Sequence, residues 1–135
     1  MAAARIALGS SETLTLGDLS IERDWGWAPE YVEAMWAMLQ RPQPEDFVIA
    51  TGKRSSLQSF VECTFSALGL EWQRHVLQDK TLFRPSEIRS GFGQPVKAAN
   101  LLGWTASTTV EEVAARMAVG EMQRLQGQPV EKLLC

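Results

Sequence analysis

Three stretches of the chain carry the apolar patterns of β-strands. Residues 13–16 alternate polar and apolar side chains and stop at Gly17-Asp18, which predicts a short strand ending in a turn. Residues 75–78 predict a second short strand. Residues 47–50 form a continuous, β-branched apolar run, typical of a strand buried on both faces of a parallel sheet.

Four stretches follow helical spacing. Pro29 opens a helix with two apolar stripes, which predicts a helix covered on two sides: Val32, Met35, Trp36 and Leu39 in one stripe, and Trp27, Tyr31, Ala34 and Met38 in the other. A capping-box pattern at Ser55 and Gln58 starts a second helix that ends at Gly69.

The third and fourth helices lie near the end of the chain. One is predicted from Pro95 to Leu102 with Gly103 closing it, and the other from Thr108 or Thr109 to about Leu125. A single turn through Glu87 and Ile88 is predicted between strand and helix, with Pro85 at its first position. The fold class is therefore α+β and helix-rich, with one folded unit over residues 1–127 and a flexible tail over 128–135.

Composition and charge exclude several classes of protein. The 135 residues are 45% apolar and 21% charged, which is typical of one globular domain, and the net charge of −3 argues against nucleic-acid binding. No uncharged stretch is long enough to span a bilayer, and no secretion signal is recognisable. The two cysteines, Cys63 and Cys135, make neither a disulfide framework nor a metal site, so the expected location is the cytoplasm.

Residues that could perform catalysis are scarce. The single histidine, His75, lies in a strand-like run, and Tyr31 is followed four positions later by Met35 where a proton-shuttling pair needs lysine. The glycine pair Gly91-Phe92-Gly93 lacks the third glycine of a dinucleotide-binding loop, and Cys63 lies in an apolar helical pattern. We therefore expect no catalytic residues, no cofactor site and no metal site in this chain.

Two loops carry arginine in a pattern suited to phosphate. Arg23 and Arg84 each precede a predicted helix start and could grip phosphate oxygens, while Glu87 could accept hydrogen bonds from ribose hydroxyls. This combination fits a nucleoside diphosphate. The alternative is purely structural, with Arg84 and Glu87 as a surface pair and Arg23 paired with Asp24 or Glu22, and spacing alone favours it.

At these residues the sequence resembles the C-terminal part of GDP-mannose 4,6-dehydratase, an extended short-chain dehydrogenase/reductase. The similarity runs from about Ala4 to Leu125 and covers less than half of the family's length. Its clearest segments occur in order along the chain: LTLGD at 14–18, RDWG at 23–26, APEYVEAMW at 28–36, PEDFVIATG at 44–52, FRPSEI at 83–88, and Lys97-Ala98 with Leu102-Gly103-Trp104.

The resemblance implies a substrate-binding domain without its Rossmann partner, because the family's NADP loop and catalytic Thr/Glu/Tyr/Lys residues lie upstream of the matched part. By position, Arg23 and Arg84 match arginines that contact GDP, and Glu87 matches a carboxylate near the ribose. Leu16, Gly17 and Asp18 match a segment bordering the nucleotide. Gln94 replaces the family's usual aspartate before a helix, and the weaker N-cap should cost about 0.5 to 2 kcal/mol.

The resemblance therefore implies a stand-alone module that binds GDP or a GDP-sugar weakly and is not an enzyme by itself. The alternative is an interaction protein with a vestigial nucleotide site that forms homo-oligomers or binds an intact dehydratase. A chain that is a piece of a whole enzyme is a third interpretation. Self-association is expected around Trp36, Met38 and the Phe47 strand, which the family's Rossmann domain would otherwise cover.

Overall fold

The computed structural model describes residues 1–129 of the chain. Its five α-helices and four short strands, within that part, lie in this order: α1 Ala2–Ala7, β1 Leu14–Leu16, β2 Glu22–Arg23, α2 Ala28–Leu39, β3 Ser55–Ser56, α3 Leu57–Ser66, β4 Val76–Gln78, α4 Val96–Leu102 and α5 Val110–Leu125. The helix-rich α+β class is confirmed. The predicted tail lies outside the described residues from position 130 onward, and the boundary at 127 stays a prediction.

The strands form two small two-stranded sheets. β1 pairs with β4 in parallel, with Leu14 opposite Val76, and β2 pairs with β3 antiparallel, with Glu22 opposite Ser56. A single parallel bridge joins Glu22 to Ser90. The second sheet therefore brings the 84–90 loop beside Arg23, although the two segments are more than 60 residues apart in the chain.

Apolar side chains pack in two clusters. The first joins α1, α3 and β4 through Ala3, Ile6, Val61, Phe65 and Val76, with Phe65 only 1% exposed. The second joins α2 and α4 through Ala34, Ala98 and Trp104. Helix α5 packs mainly on α3 and α1. Short helices such as α1 are marginal alone, so its burial against α5 stabilises it.

The helix boundaries follow local capping signals, with one correction. Thr109 and Glu112 form a complete capping box at the start of α5, and Gly103 closes α4 in the left-handed conformation. The predicted box at Ser55 is wrong by one residue, because the hydroxyl of Ser56 accepts the hydrogen bond from the Ser59 backbone. Pro95 is the N-cap residue of α4, so Gln94 precedes the cap and contributes no bond to it.

The prediction that residues 47–50 form a strand is wrong for this chain. They form no strand and pair with none among the described residues. Instead, Gly93 packs so closely that a Cβ placed on it would overlap the Ala50 Cβ. An apolar run forms a ladder only where a partner strand is available, and residues 1–129 provide none at this position.

Helix α2 is covered on one side only, whereas its two apolar stripes predict cover on both sides; the open side agrees with the expectation of an uncovered surface around Trp36. Ala34 is fully buried and Tyr31 packs edge-on against Trp104, so the second stripe is covered. The first stripe is open to solvent, and we call it the α2 face: Val32, Met35, Trp36 and Leu39, which are 61%, 53%, 66% and 82% exposed. The chain itself therefore covers only one side of this helix.

No helix within residues 1–129 has both the length and the apolar character needed to cross a membrane.

Candidate functional site

A cavity of about 380 Å³ lies between the turn after β1, the start of α3 and the 82–89 segment. Its walls combine apolar and charged side chains: Gly17, Asp18, Ile21, Arg23, Leu57, Leu82, Phe83, Arg84, Pro85, Glu87 and Arg89. Five of the six predicted site residues line it. Leu16 does not line the cavity and lies one residue before Gly17, at the end of β1.

Backbone packing brings two of these segments together. A Cβ on Gly17 would lie 3.1 Å from the Leu82 carbonyl oxygen, a distance that leaves little room for any side chain. A glycine here lets the turn after β1 approach the backbone that leads into Arg84. The Asp79 backbone also donates to the Leu16 carbonyl at 2.8 Å, which fixes the start of the same segment.

Arg23 connects the small second sheet to the far wall of the cavity. One terminal nitrogen, Nη1, donates to the carbonyls of Glu22 at 2.8 Å and Ile88 at 2.7 Å. The other, Nη2, donates to the Glu87 carboxylate at 2.5 Å. Both structural pairings considered from the sequence are therefore wrong: Arg23 pairs with Glu87, and neither Asp24 nor Glu22 supplies its carboxylate partner.

The 84–87 turn presents the remaining predicted residues. The Glu87 backbone donates to the Arg84 carbonyl at 3.2 Å, so the turn runs from Arg84 to Glu87 and Pro85 occupies its second position, one place later than the sequence predicts. The Glu87 side chain points to Arg23, and Arg84 is exposed on the rim of the cavity. Glu87 is thus held in place before any ligand arrives.

Asp18 lines the same cavity. Its carboxylate accepts hydrogen bonds from the hydroxyl of Ser20 at 2.6 Å and from the Ser20 backbone at 2.8 Å. These two bonds lower the pKa of Asp18 below its ordinary value, and the positive charge of Arg89 lowers it further. The carboxylate is ionised at neutral pH and faces a cation that the sequence did not single out.

Arg89 is the cavity residue that the sequence interpretation missed. It occupies an irregular segment without a periodic pattern, so no local signal marks it. Its place in the cavity wall depends on a long-range contact, because the Glu22 backbone donates to the Arg89 carbonyl at 2.7 Å. Counting charged side chains, the cavity contains three arginines, Asp18 and Glu87. The balance of formal charge is positive, which favours an anionic ligand.

Asp24, next to Arg23, has a structural role. Its carboxylate accepts four hydrogen bonds, from the backbone and hydroxyl of Thr51 and from the backbones of Gly52 and Gly93. The residue therefore connects its own loop to the loops of Thr51 and Gly93. Asp24 does not line the cavity.

The candidate catalytic residues are held in structural positions. His75 stacks on Phe65 with ring centroids 6.0 Å apart. Burial raises the pKa of Tyr31, and the charges of Asp24 and Glu30 raise it further. Burial also raises the pKa of the Cys63 thiol, and the charges of Glu111 and Glu62 raise it further. None of the three groups lines the cavity. The described residues also contain no cluster of three or more His, Cys, Asp or Glu side chains suited to a metal ion.

The glycines do not fit a dinucleotide. A cofactor loop needs glycine for close approach of the phosphates ahead of a long helix, but Gly93 is packed against Ala50 and Val48, and α4 has only seven residues. Among residues 1–129, no other glycine-rich turn joins a strand to a helix. A second cavity, of about 410 Å³, is lined by Trp25, Lys53, Arg54 and the start of α5, and contains none of the predicted residues.

Comparison with known proteins identifies relatives over most of the chain. The family described as GDP-mannose 4,6 dehydratase matches residues 1–117. GDP-mannose 4,6 dehydratase 1 of Arabidopsis thaliana is 39% identical over 88% of this chain and 33% of its own length. The human GDP-mannose 4,6 dehydratase is 36% identical over 93% of this chain and 38% of its own.

Solved structures show the same fold at low identity. RMD from Pseudomonas aeruginosa, solved with NADPH, has a TM-score of 0.80 at 18% identity. The match covers 90% of this chain and 40% of the RMD chain. The dTDP-glucose 4,6-dehydratase of Bacillus anthracis, solved with NAD, has a TM-score of 0.77 at 17% identity, covering 96% of this chain and 40% of its own. The chain spans about a third to two-fifths of the length of the curated relatives it matches.

Proposed function

The chain belongs to the GDP-mannose 4,6-dehydratase family, and we propose that by itself it is a binding module for GDP or a GDP-sugar without catalysis of its own. The observation that carries the proposal is the convergence of Gly17, Asp18, Arg23, Arg84 and Glu87 on one positively charged cavity. These residues come from three separate segments. The proposed location is the cytoplasm, in keeping with the free thiol of Cys63.

In this proposal the arginines hold the diphosphate and Glu87 faces the ribose. Arginine binds phosphate through paired, charge-assisted hydrogen bonds, and Glu87, although it already accepts from Arg23, retains the lone pairs of its second oxygen. The apolar wall of Phe83, Leu82 and Leu57 offers a surface for the rest of the nucleotide. Leu16 lies outside the cavity, and its carbonyl accepts the Asp79 backbone bond that fixes β1 next to this wall.

The size of the cavity sets the expected affinity. At about 380 Å³ it lies near the lower end of the range for small-molecule sites, so it encloses only part of a nucleotide-sugar. Two or three charged anchors with little enclosure predict a dissociation constant on the order of 0.1 to 1 mM that rises with salt.

Titration with GDP, followed by NMR chemical shifts, tests the proposal. We expect shifts at the amides of 17–18 and 84–89, and a loss of affinity of at least about tenfold in Arg84→Ala. Arg74→Ala is the matched control, because Arg74 is exposed, pairs with Glu71 and lies outside the cavity. Absence of any response at about 10 mM GDP would reject the nucleotide site.

A second function, self-association or binding of an intact dehydratase, is favoured by the α2 face. Its four apolar residues adjoin a groove of about 550 Å³ lined by Val32, Trp36, Ala37, Leu102 and Trp104. The expected involvement of Phe47 is weaker, because its ring is covered by the Lys97 ammonium at 4.8 Å and packs on the α2–α4 cluster. An apolar surface of this kind typically marks an interaction site.

A further inference from the structure

The second cavity lies beside the start of α5, and we call it the Trp25 cavity. Its volume is about 410 Å³, and its walls come from Trp25 and from residues within 51–55 and 106–111. It shares no lining residue with the cavity of Arg23 and Arg84. A ligand bound here is therefore held by side chains that the proposed nucleotide site does not use.

Trp25 gives this cavity an apolar wall. Its ring stacks on Phe60 with centroids 4.7 Å apart, and its Nε1 donates to the Ser55 carbonyl at 3.2 Å. Because the one polar atom of the side chain is bonded within the protein, the ring offers only apolar contact to a ligand. An aromatic face carries partial negative charge, so it attracts C–H groups, which are weakly positive.

The charges around the Trp25 cavity balance one another. Arg54 lines the cavity, and its Nη1 lies 3.8 Å from a carboxylate oxygen of Glu22. Lys53 and Glu111 line it together, and the pKa of Glu111 lies below its ordinary value because of a hydrogen bond from its own backbone, a further one from the Thr109 hydroxyl and the positive charge of Lys53. A cavity of balanced charge favours an uncharged polar ligand over an anion.

Lys53 and Glu111 retain hydrogen-bonding capacity. The backbone of Lys53 bonds with the Thr51 hydroxyl at 3.0 and 3.2 Å, but within residues 1–129 the ammonium has no acceptor for its three N–H donors. The Glu111 carboxylate uses two of about four lone-pair positions. A donor and an acceptor in one cavity can bind two neighbouring hydroxyl groups, because each hydroxyl both donates and accepts.

We propose that the Trp25 cavity is a carbohydrate site, in which a pyranose ring packs its C–H face on Trp25 and bonds neighbouring hydroxyls to Lys53 and Glu111. A neutral pyranose has both an apolar ring face and hydroxyls around its edge, which matches the two kinds of wall. The volume of about 410 Å³ lies in the lower part of the range for small-molecule sites and suits a single sugar ring. The inference is independent of the nucleotide proposal.

NMR titration of the whole chain with the methyl glycosides of glucose, mannose and galactose tests the proposal. We expect at least one of them to give saturable shifts at the amides of 51–55 and 106–111, with a dissociation constant of about 1 to 10 mM. Sorbitol is the matched ligand control, because it has the hydroxyls of a sugar but no ring, and it should bind at least about tenfold more weakly. Glucuronate, a pyranose with a negative charge, should bind no more tightly than the glycoside.

Lys53→Met removes the ammonium and keeps most of the length of the side chain. Since Lys53 is exposed, the variant should fold as the parent does, and the affinity for the glycoside should fall by about tenfold. Lys80→Met, at an exposed lysine outside both cavities, should leave the affinity unchanged. Trp25→Leu should abolish binding, and where the loss of the Phe60 stack prevents folding, Lys53→Met decides.

Three results would overturn the carbohydrate site. The first is the absence of saturable shifts at residues 51–55 and 106–111 with all three glycosides at about 100 mM. The second is equal affinity of the parent and Lys53→Met. The third is glucuronate binding more than about tenfold more tightly than any glycoside, which would make the cavity an anion site. None of these results bears on GDP, whose proposed residues lie in the other cavity.

Discussion

The carboxylate of Asp24 accepts hydrogen bonds from both the backbone and the hydroxyl of Thr51, at 2.9 and 2.7 Å through the same oxygen. Its other oxygen accepts from Gly52 at 3.0 Å and Gly93 at 3.3 Å. One side chain therefore connects the loop after Arg23 to the end of the 47–50 run and to the segment ahead of α4. Hydrogen bonds to a charged acceptor are stronger than neutral ones, so this connection stabilises the arrangement of the three segments.

Replacing Asp24 by alanine should lower the free energy of unfolding by about 2 to 4 kcal/mol, because four donors lose their acceptor. Urea unfolding followed by tryptophan fluorescence measures the loss. Asp46→Ala is the matched control: Asp46 is exposed, its carbonyl rather than its carboxylate accepts from Lys97, and the change should stay within about 0.5 kcal/mol. Equal stability of the two variants would contradict the role assigned to Asp24.

Glu30 should make stability depend on pH in the acid range. Burial alone would raise its pKa, but the hydroxyls and backbones of Ser107 and Thr108 donate to its carboxylate and together lower the pKa below the ordinary 4.5. The folded state then binds the proton less tightly than the unfolded chain. The stabilisation is complete above about pH 4.5 and is lost as the pH falls through the lowered pKa.

Unfolding midpoints measured between about pH 3 and pH 7 check this dependence. Glu30→Gln should be less stable than the parent at pH 7 and should show a flatter decline toward acid. Glu33→Gln, an exposed glutamate on the same helix, should retain the slope of the parent. A parallel decline in the Glu30 variant would show that other groups govern the acid response.

Removal of the Arg23 side chain should lower the free energy of unfolding more than removal of the Arg84 side chain. Arg23→Ala removes three hydrogen bonds and leaves a half-buried Glu87 carboxylate without its partner, so we expect a loss of about 1 to 3 kcal/mol in unfolding free energy. Arg84→Ala should change stability by less than about 0.5 kcal/mol. Chemical denaturation of both variants in the absence of ligand makes the comparison, and equal losses would contradict the structural role assigned to the Arg23 hydrogen bonds.

Local signals account for the parts of the fold that the sequence predicted. The Thr109–Glu112 box and the left-handed Gly103 depend on residues within four positions of each other, so α5 and the end of α4 could be located from the sequence. The antiparallel pairing of Glu22 with Ser56 joins segments that are far apart, and no local pattern predicts it.

The contrast between local signals and long-range contacts also holds for the site. Residue type and resemblance identify Arg23, Arg84 and Glu87, but which of them pair with each other depends on tertiary packing. The Arg23–Glu87 pair spans 64 positions, and Arg89 reaches the cavity through the bridge between Glu22 and Ser90. The 47–50 run shows the converse, because a strongly strand-like sequence stays unpaired where residues 1–129 supply no neighbouring strand.

By itself the chain should neither bind NADP nor dehydrate GDP-mannose. Its glycines fit no dinucleotide loop, and Tyr31 packs against Trp104 away from the cavity. Such chemistry requires a cofactor held beside a proton-shuttling group. Fluorescence titration with NADPH and a product assay on GDP-mannose check both statements. Cofactor-dependent loss of GDP-mannose in the purified chain would overturn them.

The α2 face should drive the chain to self-associate. Trp36 and Leu39 are 66% and 82% exposed on a helix whose opposite side is fully buried at Ala34, and a second copy is the simplest symmetric cover. A stable contact of this kind should bury more than about 1,000 Å² in total. Light scattering should therefore report a dimer or a higher oligomer at high micromolar concentration, and Trp36→Glu should shift it to a monomer near 15.0 kDa. Leu77→Glu places a charge on a similarly exposed residue of β4 and should leave the oligomer unchanged. A parent chain that stays monomeric would show that the α2 face is not a self-association surface.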